Sequence, residues 1–194
     1  VDNDGITYVD VDPDGDVSED AALLQAWDLD GIPLLLSSSD WDILEAAIVQ
    51  RSRLLDRVLA DLYGERRSIT SGVLPPQLLF GHPGYIRAAR GIQNPGRHQL
   101  FMLGCDVSRA ADGRFRVNAD RAQAPSGGGY ALADRRVVAR AVPDVYERIG
   151  PRPASPFAQA LRLALIDAAP AAAEDPVVVV LSPGIRSETA FDQA

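Results

Sequence analysis

The most regular pattern of apolar positions in the sequence lies between residues 41 and 62. Apolar side chains recur there at intervals of three, four and seven residues, which is the spacing of one helical face. Ser39 stands at the N-cap position, Asp42 at the capping-box position, and Gly64 follows as a stop. The pattern predicts a helix over residues 40–62. Its apolar positions are Trp41, Leu44, Ile48, Leu55, Leu59 and Leu62.

A second pattern predicts a β-hairpin. Residues 99–107 and 114–118 have the composition of strands, and Ala111-Asp112-Gly113 lies between them. Asp-Gly favours a hairpin turn because its backbone tolerates a positive φ. Asp106 lies near the end of the first strand and Asp120 follows the second. With the register centred on Asp112-Gly113, we expect the two carboxylates to converge and to face the loop at residues 125–129.

Apolar runs elsewhere predict shorter elements. Residues 32–36 form a candidate strand or entry segment. Residues 131–140 are predicted to form a helix or turn, and residues 156–168 an amphipathic helix. Residues 71–96 carry loop signals around an apolar stretch at 78–80. The β-branched run at 176–181 is typical of a strand buried on both faces, followed by a turn and a helix start at Ser187. The fold class is therefore predicted to be α/β, with α+β as the alternative.

Domain boundaries follow from the same pattern. We expect an acidic N-terminal segment at 1–22, an α+β part with the hairpin at 23–150, a helix and Ala/Pro linker at 151–175, and the start of a second α/β lobe at 176–194. That lobe is predicted to be truncated, because the sequence stops a few residues after the expected helix start.

Composition narrows the classes of function. Apolar residues make up 46% and charged residues 24%, as in globular domains. No apolar run is long enough to cross a bilayer and no basic region followed by an apolar stretch opens the sequence, so we predict a cytoplasmic protein. A net charge of -8 argues against a nucleic-acid partner. The single cysteine, Cys105, excludes an internal disulfide framework. All 19 basic residues are Arg, so a Lys ammonium would have to come from outside this chain.

One acidic motif resembles a calcium loop without completing it. Residues 10–18 carry Asp and Gly at EF-hand spacing, but position 12 of that loop is Ala21, where calcium needs a bidentate acid. A solvated acidic linker is the favoured interpretation. The histidines His82 and His98 also lack a partner at metal-ligand spacing.

The densest set of chemical groups lies between residues 104 and 136. Carboxylates at a strand end can hold Mg²⁺, a Ser-Gly-Gly-Gly loop can bring backbone N–H groups against phosphate, and guanidinium groups can neutralise developing charge. An ordinary ion-pair network explains the same composition equally well. In that network the arginines at 109, 121 and 135 would pair with the aspartates at 106, 120 and 134.

Residues 120–135, DRAQAPSGGGYALADR, resemble the D-R-T-Q-A-P-S-G-x-G-Y-A-L-E-N-R stretch of the circularly permuted type 2 ATP-grasp family, relatives of glutathionylspermidine synthase. The resemblance covers residues 23–194. Upstream and downstream signatures of the family occur in the same order: Trp41 with Leu44, Gln50-Arg51, Asp61-Leu-Tyr-Gly64, Gly72-Val-Leu-Pro-Pro76, Asp106-Val-Ser-Arg109 and Val179-Val-Leu-Ser-Pro-Gly184.

This resemblance implies a ligase in which ATP phosphorylates a carboxylate and an amine attacks the acyl phosphate. ATP and Mg²⁺ would be the cofactors of the complete protein, and its partners would be small-molecule or peptide carboxylate and amine substrates together with the remaining ATP-grasp lobe. The implied site residues are Asp106 and Asp120 near metal; Ser126, Gly127 and Gly129 near phosphate; Arg109, Arg121 and Arg135 in catalysis; Tyr130 as a wall of the site; and Ser182 and Gly184 on the substrate side.

The sequence departs from the family pattern on the second strand. Related branches carry E-D-N before P-S-G, whereas this chain has Ala119-Asp120-Arg121, so an arginine stands where a metal ligand is expected. We therefore expect no ATP turnover by the 194 residues alone. The alternatives are a non-catalytic ATP-grasp-like scaffold that binds a peptide or protein, and a generic α/β domain with a charged hairpin.

Overall fold

The structure is a computed structural model that describes residues 6–9, 25–92, 94, 96–170, 172–182, 184, 187 and 189–193. The acidic motif at residues 10–18 lies outside this described part. The fold is mixed α/β, with helices and small antiparallel sheets. The elements are β1 Thr7–Tyr8, β2 Gln25–Ala26, α1 Ser38–Tyr63, α2 Arg67–Thr70, α3 Pro76–Phe80, β3 Gly104–Arg109, β4 Phe115–Arg121, α4 Gly128–Ala141, α5 Pro143–Ile149 and α6 Ser155–Asp167, with 3-10 turns at Arg87–Ala89 and Ala190–Gln193.

Helix α1 confirms the helix predicted from the apolar repeat. Its N-cap is Ser37 rather than Ser39, because the Ser37 hydroxyl accepts a hydrogen bond from the backbone N–H of Asp40 at 3.1 Å. Three serines in a row offered three candidate caps, and apolar spacing alone does not distinguish them. Gly64 ends the helix as predicted and donates its N–H to the carbonyl of Asp61.

The segment predicted as loops at 71–96 contains helix α3. Pro75 and Pro76, which suggested a loop, are the N-cap and the first helical residue. Proline suits that first position because its missing N–H would have no helical partner there. The apolar stretch at residues 78–80 therefore belongs to a helix, and Leu79 is buried.

Strands β3 and β4 form the predicted antiparallel hairpin. The N–H of Gly113 donates to the carbonyl of Ala110, and the N–H of Ala110 donates to the carbonyl of Arg114, so residues 111–113 form a three-residue loop. Gly113 has a φ of +78°, as the Asp-Gly signal predicted. The ladder contains one irregularity. Asp106 pairs with Ala119 but Val107 pairs with Val117, which leaves Asn118 as an extra residue, a β-bulge.

The described residues divide into two compact units. One contains α1, α2, α3 and the β3–β4 hairpin, within Leu36–Pro125 and Ala164–Pro176. The other draws on Val1–Leu35, Ser126–Leu163 and Val177–Ala194, and its core is formed by Ile6, Tyr130 and Ala133 with Trp27 and Phe191 packed against them. Helices α4 and α6 confirm the two helices predicted in the second half of the sequence.

The strand predicted at 176–181 is absent from the described residues, and residues 32–36 take the second of their two predicted forms, an entry segment. Residues 177–181 form no strand and are exposed, Leu181 to 98% and Val177 to 87%, and residues 32–36 are an irregular entry to α1. A β-branched run becomes a strand only where a neighbouring strand supplies hydrogen-bond partners, and no strand of the described chain pairs with it. None of the described helices combines the length and apolarity that crossing a bilayer requires.

Candidate functional site

One face of the hairpin carries an ion pair between its two strands. Asp106 on β3 lies directly opposite Ala119 on β4, and Arg121 is the next residue of β4 on that face. The Arg121 guanidinium donates to both carboxylate oxygens of Asp106, with Nε–Oδ1 and Nη2–Oδ2 distances of 3.1 and 2.9 Å. The ion-pair network proposed for this region is therefore present at Asp106 and Arg121.

The opposite face carries a second acid with a second arginine. Asp120 pairs with Cys105 in the strand register. Arg51 from α1 donates to both oxygens of the Asp120 carboxylate, with Nε–Oδ1 and Nη2–Oδ2 distances of 2.7 and 2.6 Å. The hydrogen bond from Arg51 holds the pKa of Asp120 below its ordinary value. Burial, with the nearby Asp120 carboxylate, raises the pKa of the Cys105 thiol.

The prediction that Asp106 and Asp120 converge is wrong. Side chains alternate along a strand, and Asp120 lies opposite Cys105, so it points away from the face of Asp106. The bulge at Asn118 is the cause. Without that extra residue Asp106 would pair with Asn118, and Asp120 would lie diagonally across from it on one face. A register shift of one residue separates the two carboxylates.

The hairpin does not fit a shared magnesium site. Mg²⁺ takes oxygen ligands in octahedral geometry, but the two acids lie on opposite faces and each is bound by a guanidinium. Ala119, directly across from Asp106, has no donor atom. Across the described residues, His, Cys, Asp and Glu side chains nowhere gather in a group of three or more that could hold a metal ion.

Arg109 is engaged in holding the hairpin to α1. Its guanidinium lies 3.3 Å from the carboxylate of Asp40, its Nε donates to the carbonyl of Gly113 at 3.0 Å, and it covers the ring of Phe115 at 5.4 Å from the centroid. These contacts give it a structural part in this unit.

The loop at residues 126–129 forms an anion cradle with the first turn of α4. We use "anion cradle" for the backbone N–H groups of Gly127, Gly129 and Tyr130, which all donate to the carboxylate of Asp192. The donor–acceptor distances from Gly129 and Tyr130 to Oδ1 are 2.7 and 3.2 Å. Ser126 is exposed at its edge. The start of a helix favours negative charge because its N–H groups lack helical partners.

Glycine is required in this loop for conformation and for space. Gly127 has a φ of +105°, in the left-handed region that favours glycine. A Cβ at Gly129 would lie 2.8 Å from the Asp192 carboxylate, and one at Gly128 would lie 2.8 Å from the ring of Phe157. Side chains at either position would displace the groups that surround the cradle.

Tyr130 lies in the core of its unit. Its ring packs on Trp27 and Phe191 with centroid distances of 4.4 and 5.1 Å, and its hydroxyl donates to the carbonyl of Thr7 at 2.9 Å. The ring was predicted to form a wall of the site, but in this structure it is a buried core side chain, and only the backbone N–H serves the cradle.

The next turn of α4 carries Asp134 and Arg135. The carboxylate of Asp134 accepts from the indole N–H of Trp27 at 2.9 Å, and burial raises its pKa above the ordinary value although this hydrogen bond opposes the shift. Arg135, a predicted catalytic residue, is half-buried on the same helix.

Ser182 and Gly184 form a local turn. The N–H of Gly184 donates to the Ser182 hydroxyl at 3.2 Å, and Gly184 has a φ of +93°. Among the described residues on either side, 177–181 form no strand and Ala190–Gln193 form a short 3-10 turn. The helix start expected at Ser187 falls partly on positions outside the described residues.

Sequence reasoning did not identify two residues that organise these sites. Arg51 was noted only as part of a Gln-Arg signature, and nothing in its spacing connects it with Asp120, 69 residues away. Asp192 lies in a segment without apolar periodicity, so no local signal relates it to the loop at 126–129. Both contacts depend on tertiary structure.

Comparison with known proteins identifies relatives along the whole chain. The chain is 67% identical over 196 residues to the uncharacterized protein Rv2567 of Mycobacterium tuberculosis (strain H37Rv), covering 100% of this chain and 22% of the relative. It is 34% identical to the uncharacterized protein ML0605 of Mycobacterium leprae, covering 86% of this chain and 30% of the relative. The uncharacterized protein sll0335 of Synechocystis is 29% identical, over 91% of this chain and 37% of the relative.

These relatives are longer than the chain, which spans about a fifth of the length of Rv2567. Residues 33–194 match the sequence model of a family described as a circularly permuted ATPgrasp. That match includes the hairpin, the cradle loop and α4. The chain belongs to the circularly permuted ATP-grasp family.

Proposed function

We propose that this chain is a portion of an ATP-dependent carboxylate–amine ligase of the glutathionylspermidine synthase-like type. The family match supports an ATP-dependent ligase-like fragment, and the order of motifs along residues 41–184 supports the finer assignment. The observation that carries the proposal is the anion cradle. Its N–H groups already hold a carboxylate, and a phosphate oxygen presents the same charge and the same acceptor lone pairs.

In this proposal the cradle binds a nucleotide phosphate, with Ser126, Gly127 and Gly129 around it. Arg135 contributes positive charge from α4, the helix that begins at the cradle. Arg109 and Arg121 belong to the hairpin unit, where they are paired with Asp40 and Asp106. Ser182 and Gly184 belong to the side that takes the carboxylate and amine substrates. The remaining lobe completes the site in the cytoplasmic protein, and the 194 residues alone turn over no ATP.

A second candidate function is a non-catalytic scaffold that binds a peptide or protein. One observation favours it: both hairpin acids are neutralised by guanidinium groups, and Asp106 faces Ala119 instead of a second acid. A scaffold of this kind would keep the ATP-grasp fold without nucleotide chemistry.

Isothermal titration with ATP in Mg²⁺ buffer distinguishes the two functions. We expect no binding by the 194-residue chain and saturable binding by a longer chain that continues into the remaining lobe. In the longer chain Gly127→Ala should abolish binding, because alanine disfavours a φ of +105° and the loop would lose its shape. Gly31→Ala, where an added Cβ meets nothing within 4 Å, is the matched control.

Two results would contradict this proposal. Steady ADP release by the 194-residue chain, abolished by Asp120→Ala, would show that the chain is complete in itself. Failure of the longer chain to bind ATP, with a folded spectrum, would favour the scaffold.

A further inference from the structure

We propose that on this hairpin guanidinium groups take the place of a divalent cation, with Arg121 neutralising Asp106 on one face and Arg51 neutralising Asp120 on the other. The inference rests on the proposed function only in that ATP-dependent ligases imply a metal ion near the nucleotide. It concerns the hairpin itself and is tested with metal alone.

Asp106 is the only carboxylate at its position on this face of the described hairpin, and its partner there is a guanidinium group that stays protonated. Cross-strand partners on one face have Cβ atoms about 4.5–5.5 Å apart, so the residue opposite Asp106 is placed to share a ligand with it. That residue is Ala119. The next residue on this face, Arg121, instead donates from Nε and Nη2 to both oxygens of Asp106.

Asp120 is held in the same way by a different element. Arg51 comes from α1, and both of its contacts with Asp120 are shorter than 2.8 Å, at 2.7 and 2.6 Å. Parallel N–H···O bonds to both oxygens are the arrangement in which Arg matches a carboxylate best. Cys105, which also lies on this face, contacts Asp120 through its sulfur at 3.5 Å.

Guanidinium and a divalent ion compete for these acids. An arginine does not lose its proton in proteins, so a metal bound to either carboxylate would lie beside a fixed positive charge. Mg²⁺ also surrenders its water reluctantly and needs near-ideal octahedral oxygens, which a single paired carboxylate does not supply. A divalent ion that accompanies a nucleotide would therefore be held by phosphate oxygens and by residues outside this hairpin.

Manganese relaxation in amide NMR spectra of the 194-residue chain tests the inference, with Mn²⁺ alone and no nucleotide. In the wild type we expect no saturable broadening centred on residues 104–121. The double variant Ala119→Glu with Arg121→Asn puts two carboxylates and an amide oxygen on the Asp106 face. We expect it to acquire saturable broadening there, reversed by excess Mg²⁺, because these side chains supply the oxygen ligands that such ions take.

Arg114→Asn is the matched control, because Arg114 is another hairpin arginine paired with an acid, Asp112, close to the turn. It removes the same charge and should acquire no site. Wild-type broadening that Asp106→Asn abolishes would overturn the inference. So would a folded double variant that still binds no Mn²⁺, because removing the guanidinium would then have released no metal site. Nucleotide affinity is measured separately, so its absence would count against the proposed function and leave the metal result standing.

Discussion

Asp192 supplies the negative charge that the anion cradle holds in this structure. Its carboxylate accepts from three backbone N–H groups at the start of α4, and removing the acceptor from donors of this kind costs about 1–3 kcal/mol. We expect Asp192→Ala to lower the free energy of unfolding by about 1–3 kcal/mol and to shift the amide resonances of Gly127, Gly129 and Tyr130.

The control for this change is Asp144→Ala, an exposed acid on α5 that should alter stability by no more than about 0.5 kcal/mol. Denaturant unfolding and amide NMR measure both effects. Unchanged amide shifts in Asp192→Ala would mean that this carboxylate does not occupy the cradle in solution.

Asp56 connects α1 to the segment that leads into the hairpin. Its Oδ1 accepts from the N–H groups of Gln99 and Leu100 at 2.7 and 2.8 Å, and its Oδ2 contacts His98 Nδ1 at 3.1 Å. Burial opposes its ionisation, but these contacts outweigh burial and hold the pKa of Asp56 below its ordinary value.

We expect Asp56→Ala to cost about 1–3 kcal/mol of stability, because it leaves the two N–H groups without their acceptor. Asp56→Asn keeps an Oδ1 acceptor and should cost less. Chemical denaturation of both variants measures the difference. Equal losses would show that the charge of Asp56 matters rather than its acceptor geometry.

Asp134 is the acid whose pKa shift predicts a gain of stability on mutation. Its raised pKa means that the native state binds the proton more tightly than the unfolded chain does. The stability that this group contributes is therefore present below the unfolded pKa, about 3.9, and is lost as pH rises through the native pKa. Asp134→Asn mimics the protonated form and can still accept from Trp27.

We expect Asp134→Asn to melt at a higher temperature than the wild type at neutral pH, with the difference shrinking as pH falls below about 4. Thermal unfolding across this range measures it. A melting-temperature difference that grows as pH falls would contradict the expected direction of the Asp134 pKa shift.

The hairpin turn depends on Gly113 for backbone conformation alone. An added Cβ would meet nothing within 4 Å, yet φ is +78°. We expect Gly113→Ala to destabilise the chain by about 1–2 kcal/mol and Gly113→Asn by less, because asparagine tolerates the left-handed region better. Unfolding midpoints of the two variants test this order. If both variants matched the wild type, the turn would adopt another conformation in solution.

Signals within short stretches of sequence predicted the helices and the hairpin better than they predicted the contacts between these elements. The helix at 38–63 and the hairpin follow from spacing and from Asp-Gly, because both depend on residues close in sequence. The bulge at Asn118 and the Arg51–Asp120 pair could not be predicted, since each depends on how one segment packs against another. The strand predicted at 176–181 was wrong because strand composition is a local signal, whereas a strand also needs a partner strand elsewhere in the fold.

At the scale of the whole molecule, the exposed run at 177–181 is the feature that a longer chain should change. The chain spans 22% of the length of Rv2567, and exposed β-branched residues in an unpaired segment offer free backbone hydrogen-bonding groups. We expect rapid hydrogen exchange of residues 177–181 in the 194-residue chain and protection in a chain that continues into the remaining lobe. The β3–β4 amides serve as the internal control, and equal exchange in the two chains would rule out strand pairing by the added part.

The bulge at Asn118 makes the hairpin sensitive to the order of two neighbouring residues. Residue 119 faces Asp106 and residue 120 faces Arg51. Exchanging them, by Ala119→Asp with Asp120→Ala, transfers a carboxylate from one face of the hairpin to the other. The exchanged chain is an isomer of the original, with the same mass, isoelectric point and mean hydropathy. Intact-mass and isoelectric-focusing measurements cannot distinguish the isomers, yet one keeps an acid for Arg51 and the other places two acids beside Arg121.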